Sequence, residues 1–161
     1  MVNMKGRWCL ITGAARGIGY LSAKFMAEQG ANLILHSRKL AHTEKALAEV
    51  RALGVEAYAV EAELSDLDSV RAMLAEIDAR GTQVDVVLNN AGMQIAYRVD
   101  YLATPVEDYT ESFKVNTIAP MMITSGTRKV HSVLLYSFSS VVPAVFCSHR
   151  MNTPKAPAPM T

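Results

Sequence analysis

TGAARGIGYLSAK, residues 12–24, carries two patterns at once: Gly13-x-x-x-Gly17-x-Gly19 and Tyr20-x-x-x-Lys24. The glycines decide the fold. They follow Trp8-Cys-Leu-Ile11, an apolar run suited to a strand buried on both faces. They precede residues 17–29, which have helical period and end at Gly30, where a helix C-cap glycine belongs. Along that helix Ile18, Leu21 and Phe25 share one face and are expected to point inward. A strand, a glycine turn and a helix in that order put backbone N–H groups and the positive end of a helix dipole where a pyrophosphate can be held. A glycine turn after a strand can also serve only to make a corner, so its neighbours matter.

Outward from this unit the pattern repeats. Residues 32–36 read as a second strand. Residues 41–53 read as a helix with Ala46, Leu47, Val50 and Leu53 inward and Gly54 as its cap, and residues 55–60 as a third strand. Ser65 is expected to cap the next helix, with Asp68 at the capping-box position and Leu67, Val70, Leu74 and Ile77 as its buried stripe up to Gly81. Residues 84–88 form a fourth strand. Thr104, Pro105 and Glu107 suit the N-cap, first and third positions of one long helix running into the 120s. A possible fifth strand spans about 133–138, followed by an irregular tail. Strict alternation of strand and helix argues for an α/β fold with a parallel sheet and helices on both faces.

The chain has 161 residues, room for one domain with a real core. Half of the residues are hydrophobic and 19% are charged, which is a globular composition. The formal charge of +1 comes from interspersed acids and bases with no basic run, so neither nucleic acid nor an anionic membrane surface is an expected partner. Cys9 and Cys147 form no metal-ligand spacing with each other or with the four histidines, so no metal is expected. The N-terminus reaches its glycine turn too early for a signal peptide, and residues 133–147 fall short of the roughly 20 apolar residues of a spanning helix. A cytoplasmic protein is the expectation.

Two more motifs stand in order after the glycines: Asn89-Asn90-Ala91-Gly92 at the end of the fourth strand, and Asn116 in Lys114-Val-Asn-Thr117. With them, residues from about 5 to 124 resemble the short-chain dehydrogenase/reductase family. The resemblance implies a Rossmann-type doubly wound parallel sheet, incomplete at the C-terminal side here, with residues 1–124 as the dinucleotide-binding domain and 125–161 as a divergent segment. It implies hydride transfer between a nicotinamide cofactor and a small alcohol or carbonyl substrate. Gly13, Gly17 and Gly19 would line the pyrophosphate and Ile18 would present its backbone there; Asn90, Ala91 and Gly92 would border the ribose. Glu63 and Leu64 would stand beside the adenine, where the family usually has Asp at the Glu63 position. Family members are usually homo-oligomers that pair through the long helix and the one after it.

Cofactor choice is read from the end of the second strand, where an acidic residue would accept the ribose 2′-hydroxyl of NAD and repel the 2′-phosphate of NADP. This chain has Ser37 and Arg38 there, with Arg16 in the glycine loop as a second partner for the phosphate. NADP is therefore expected over NAD, unless both arginines are simply solvated.

In the resembled family a Tyr-x-x-x-Lys pair is catalytic, but it follows the fifth strand. Tyr20 and Lys24 lie on the first helix, on the face roughly opposite Ile18 and Phe25, and are expected at solvent or a packing edge. No other Tyr-x-x-x-Lys occurs; counting 13 residues from Ser140, the preferred candidate over Ser139 for the family serine, gives Thr153, with Pro157 at the lysine position. Asn116 to Ser140 is also about one helical turn shorter than the family interval, so the serine pair is either real or accidental. The tail is consistent with a frameshift, a mis-called gene end or a spliced fragment. Three readings follow: an NADP-dependent oxidoreductase by family whose present chain is inactive, a non-catalytic NADP-binding module, or a fragment without function.

Overall fold

The computed structural model of the chain describes residues 3–96 and 103–127, and the backbone of 132–135. Five parallel strands, β1 (Trp8–Ile11), β2 (Asn32–Ser37), β3 (Ala57–Glu61), β4 (Val84–Asn89) and β5 (Ser132–Leu135), form one sheet in the order β3-β2-β1-β4-β5. Helices α1 (Gly17–Glu28), α2 (Glu44–Ala52), α3 (Leu67–Ala79), α4 (Val106–Phe113) and α5 (Ala119–Gly126) complete a Rossmann-type α/β fold. β5 begins one residue before the expected 133–138 strand, whose residues 136–138 lie outside the described residues.

Alternation along each strand divides the core in two. Cys9, Ile11, Leu33 and Leu35 face Ala23 and Ala27 of α1 and Ala46 and Val50 of α2. Leu10, Ile34 and Val87 face Val70, Met73 and Ile77 of α3 and Ile123 of α5. This is why β1 and β2 read as continuous apolar runs: both faces are covered. The β1–β4 register shifts between Trp8, opposite Val84, and Cys9, opposite Val86, and Asp85 lies at the shift. Its carboxylate accepts from the Trp8 N–H at 3.0 Å and pairs with Arg7 at 3.1 Å, so the irregularity leaves the Trp8 donor satisfied.

Helix α1 corrects the expected burial. Its inward face is Gly19, Ala23 and Ala27, whereas Ile18, Leu21 and Phe25 are 44%, 61% and 62% exposed. The cause is proximity. A Cβ on Gly19 would lie 2.4 Å from the Gly13 carbonyl oxygen and 2.5 Å from Asn90 Nδ2, so the start of α1 sits too close to the ends of β1 and β4 for any side chain. The small residues one and two turns later continue that contact.

Three further boundaries shift. A 3₁₀ turn, Leu40–Thr43, occupies the start of the second predicted helix, and Leu53 lies outside it, 43% exposed. Asp66, not Ser65, caps α3, its carboxylate accepting from the N–H groups of Asp68 at 3.0 Å and Ser69 at 3.4 Å. Pro105, not Thr104, is the N-cap of α4, and the expected single long helix is interrupted by a π-helical turn, Lys114–Ile118. Pro120 explains the interruption. It has no N–H to give the Asn116 carbonyl, and the backbone adopts the wider spacing in which the Ala119 N–H bonds to the Lys114 carbonyl.

Candidate functional site

All five strands run the same way, so the loops leaving β1, β2, β3 and β4 gather at one edge. The connections diverge between β1 and β4, the crevice where open parallel sheets bind ligands. A cleft of about 1040 Å³ occupies that edge. Its floor is Gly13, Ala15, Arg16 and Gly17; one wall is His36, Ser37, Arg38 and His42; the others come from Glu63, Leu64, Asn90, Ala91, Gly92 and Met93, with Glu111 and Val115 from the α4 region.

The end of the glycine turn lies open to the cleft. Gly17 has φ +59°, and a Cβ there would meet nothing within 4 Å, so glycine serves the backbone conformation at the rim of empty space. The N-cap of α1, Arg16, makes no side-chain capping bond, which leaves the first helical donors without a side-chain acceptor. Of the residues expected around the pyrophosphate, Gly13 and Gly17 line the cleft, and so does Arg16, expected at the 2′-phosphate. Ile18 and Gly19 do not: Ile18 turns outward and Gly19 lies beneath the turn against the Gly13 carbonyl. A Gly19→Ala substitution is expected to lower stability by about 1–3 kcal/mol, the cost of overpacking, read as an earlier urea midpoint with unchanged slope.

Two residues lock the β1 and β4 loops together. Thr12 Oγ accepts from the N–H groups of Asn90 at 3.0 Å and Ala91 at 2.9 Å, while Asn90 Nδ2 donates to the carbonyls of Thr12 at 2.9 Å and Gly13 at 3.3 Å. Asn89 is buried beside them and donates to Thr124 Oγ at 3.2 Å. Asn116, on the π-helical turn, accepts from the Met93 N–H at 2.9 Å and donates to the Met93 carbonyl at 2.7 Å, which fixes the end of the Asn-Asn-Ala-Gly loop. Ser140 lies outside the described residues.

The β2 end carries the charge. Ser37 is buried and its carbonyl accepts from the Ala62 N–H at 3.2 Å, whereas Arg38 is exposed and lines the cleft with Arg16. Glu63 turns its carboxylate onto Ser65, accepting from its N–H at 3.3 Å and its hydroxyl at 3.2 Å, and Leu64 is buried beside it as an apolar wall. The exposed arginines, open turn and apolar wall fit the phosphates and adenine of a nicotinamide dinucleotide. Among the described residues no group of acids, histidines and cysteines suits a metal ion.

His36 ends the strand expected over residues 32–36 and is not among the expected site residues. It is 1% exposed, accepts at Nδ1 from the Gly13 N–H at 3.3 Å and contacts the Ala62 carbonyl through Nε2 at 3.0 Å. Its signal in the sequence was a polar residue ending an apolar strand beside the glycine turn.

Tyr20 is not in the cleft. It packs partly against the α1–α2 side of the core and donates its hydroxyl to Glu49, and that bond raises its pKa above the ordinary 10.0. A catalytic tyrosine near neutral pH needs the opposite shift. Lys24 is exposed.

The sequence profile described as short chain dehydrogenase matches residues 7–131. An uncharacterized oxidoreductase of Mycobacterium tuberculosis is 30% identical over 145 residues, 86% of this chain and 42% of that protein. A metagenomic short-chain oxidoreductase solved in complex with NADP superposes with a TM-score of 0.72 at 26% identity, over 78% of this chain and 56% of the other. An NAD+-bound xylitol dehydrogenase superposes with a TM-score of 0.70 at 27% identity, over 78% and 48%. The chain thus spans about half the length of the proteins it matches. Among the described residues no helix is long and apolar enough to cross a membrane.

Proposed function

The chain belongs to the short chain dehydrogenase family, and from that premise we propose that it binds NADP(H) in the cleft at the β1–β4 switch point. In that role it would serve oxidoreduction between an alcohol and a carbonyl. The observation that carries NADP over NAD is that Arg16 and Arg38 both line the cleft, with no carboxylate at the end of β2. The cofactor supplies the hydride. This chain's residues would supply its seat: the N–H groups at the start of α1 would hold phosphate, Arg16 and Arg38 the 2′-phosphate and Leu64 the adenine, while Thr12 with Asn90 keeps the two loops in register.

A charge-assisted hydrogen bond is worth about 1.5–3 kcal/mol, so NADPH is expected to bind roughly ten- to hundredfold more tightly than NADH. Fluorescence titration of the purified chain with each nucleotide checks this. Equal affinities, or tighter NADH, would remove the NADP reading.

A specific observation favours a second reading, in which this chain binds the cofactor without reducing a substrate. The sole Tyr-x-x-x-Lys of the sequence lies on α1, and its tyrosine is tied to Glu49 outside the cleft. Ser140 and Asn116 stay within the proposal, as roles that the family pattern suggests.

A further inference from the structure

We propose that His36 is a positioning residue of the cofactor site: its neutral imidazole clamps the phosphate turn at Gly13 and joins it to the adenine wall at the exit of β3. The inference rests on the cofactor reading above, and deepens it by naming what sets the turn.

The geometry fixes the state of the ring. Among the described residues Nε2 meets the Ala62 carbonyl at 3.0 Å, an acceptor, so Nε2 carries the proton; the Gly13 N–H points at Nδ1 at 3.3 Å, so Nδ1 is bare. Burial pushes the imidazole below its ordinary 6.5, against opposing pulls from the Ala62 carbonyl and Glu63, and so favours the neutral form that this arrangement requires. Protonation would place a hydrogen on Nδ1 and turn the Gly13 contact into donor against donor.

The backbone of His36 holds the turn as well. Its carbonyl accepts from the Ala14 N–H at 2.9 Å. One residue therefore engages two successive N–H groups of the turn, Gly13 through its side chain and Ala14 through its main chain. The donors that follow, at the start of α1, are the ones without a side-chain cap. His36 thus divides the turn into a part spent on the protein and a part kept for phosphate. Its other ring nitrogen reaches Ala62, immediately before Glu63 and Leu64 in the cleft wall. The 2′-phosphate side, at Arg38, begins two residues further along the same strand end.

Two substitutions separate the bonds. In His36→Asn the Asn Oδ1 takes the place of Nδ1 and keeps the acceptor for Gly13, while the Ala62 bond is lost. In His36→Gln the Gln Nε2 takes the place of the imidazole Nε2 and keeps the donor to Ala62, while the Gly13 bond is lost. Each deletes one buried hydrogen bond, so a purely structural role lowers the urea midpoint and the NADPH affinity of both alike. The clamp predicts asymmetry: His36→Asn binds NADPH within about threefold of wild type, and His36→Gln about tenfold more weakly. Equal affinities in the two variants would overturn it.

A second measurement needs neither a variant nor a cofactor. Imidazole ¹⁵N shifts of the wild-type chain at neutral pH are expected to show a neutral ring protonated at Nε2, with the Gly13 amide protected from exchange. A charged ring, an Nδ1 proton or an unprotected Gly13 amide would each overturn the clamp. A wild-type chain that binds no NADPH would refute the cofactor reading instead. The clamp on the turn would then stand or fall on the ring and Gly13 signals alone.

Discussion

Given NADPH and a carbonyl compound that a full-length relative reduces, the 161-residue chain is expected to turn over roughly 10²–10⁴ times more slowly than that relative, the cost of a Tyr-x-x-x-Lys pair that lies on α1 and not in the cleft. Carbonyl reduction needs a proton delivered as the hydride arrives. A tyrosine at its ordinary pKa of about 10 must be brought toward 7, which takes about 4 kcal/mol of favourable environment. Tyr20 is displaced the other way, because its hydroxyl is bonded to Glu49. The side chain of Asn116 cannot stand in for it: a carboxamide releases no proton near neutral pH, and both ends of this one are committed to Met93. The measurement is the rate of NADPH oxidation at saturating cofactor for the chain and the relative side by side. Comparable rates would show that an acid acts which the Tyr-x-x-x-Lys pattern does not reveal. Tyr20→Phe is the companion variant, expected to leave whatever residual rate exists unchanged; a loss on that change would return Tyr20 to the site.

The order of strands and helices was legible because each of the first three βα units carries its own punctuation: an apolar run, then a helical period that stops at a glycine, Gly30, Gly54 or Gly81. The cleft was legible for a related reason, since its floor and walls are the loops that follow those runs. Local pattern failed where a distant atom decided the outcome. Ile18, Leu21 and Phe25 are the largest apolar residues on α1, and hydrophobicity alone turns them inward. The Gly13 carbonyl, brought up beneath Gly19 by the turn, admits only small residues there and rotates the larger ones out. His36 was missed likewise, because the N–H that it accepts from is 23 residues away in sequence. The π-helical turn was a different kind of miss. Its cause, Pro120, stood in the sequence, and a proline four residues after Asn116 should have marked the helix as broken at the asparagine's carbonyl. The caps of α3 and α4 shifted by one residue because Ser65-Asp66 and Thr104-Pro105 each offer two capping candidates, and only the path of the loop chooses between them.

Arg38→Glu is expected to invert the nucleotide preference. Replacing the arginine removes a charge-assisted contact of about 1.5–3 kcal/mol with the 2′-phosphate. The carboxylate then adds a repulsion of about 1–4 kcal/mol at 4 Å, between the limits of water and a protein surface. Together these lower NADPH affinity by roughly 10²–10³-fold, allowing for partial relief as the exposed side chain swings away. NADH has no 2′-phosphate, and a glutamate at the end of β2 is placed to accept its ribose hydroxyl, so its affinity should hold or rise. Folding should be almost untouched: Arg38 is exposed, and substitutions at such surface positions usually change stability by within about 0.5 kcal/mol. The measurement is the pair of dissociation constants for the two nucleotides, before and after substitution, at one fixed salt concentration, because exposed charges are screened within about 10 Å at 0.1 M. Arg16→Ala assigns the remainder. If the ratio of constants moves on Arg16→Ala but not on Arg38→Glu, the phosphate is held from the glycine loop and the β2 end is a solvated edge. If neither substitution moves it, the two arginines do not set the choice, and the case for NADP over NAD in this chain fails with them.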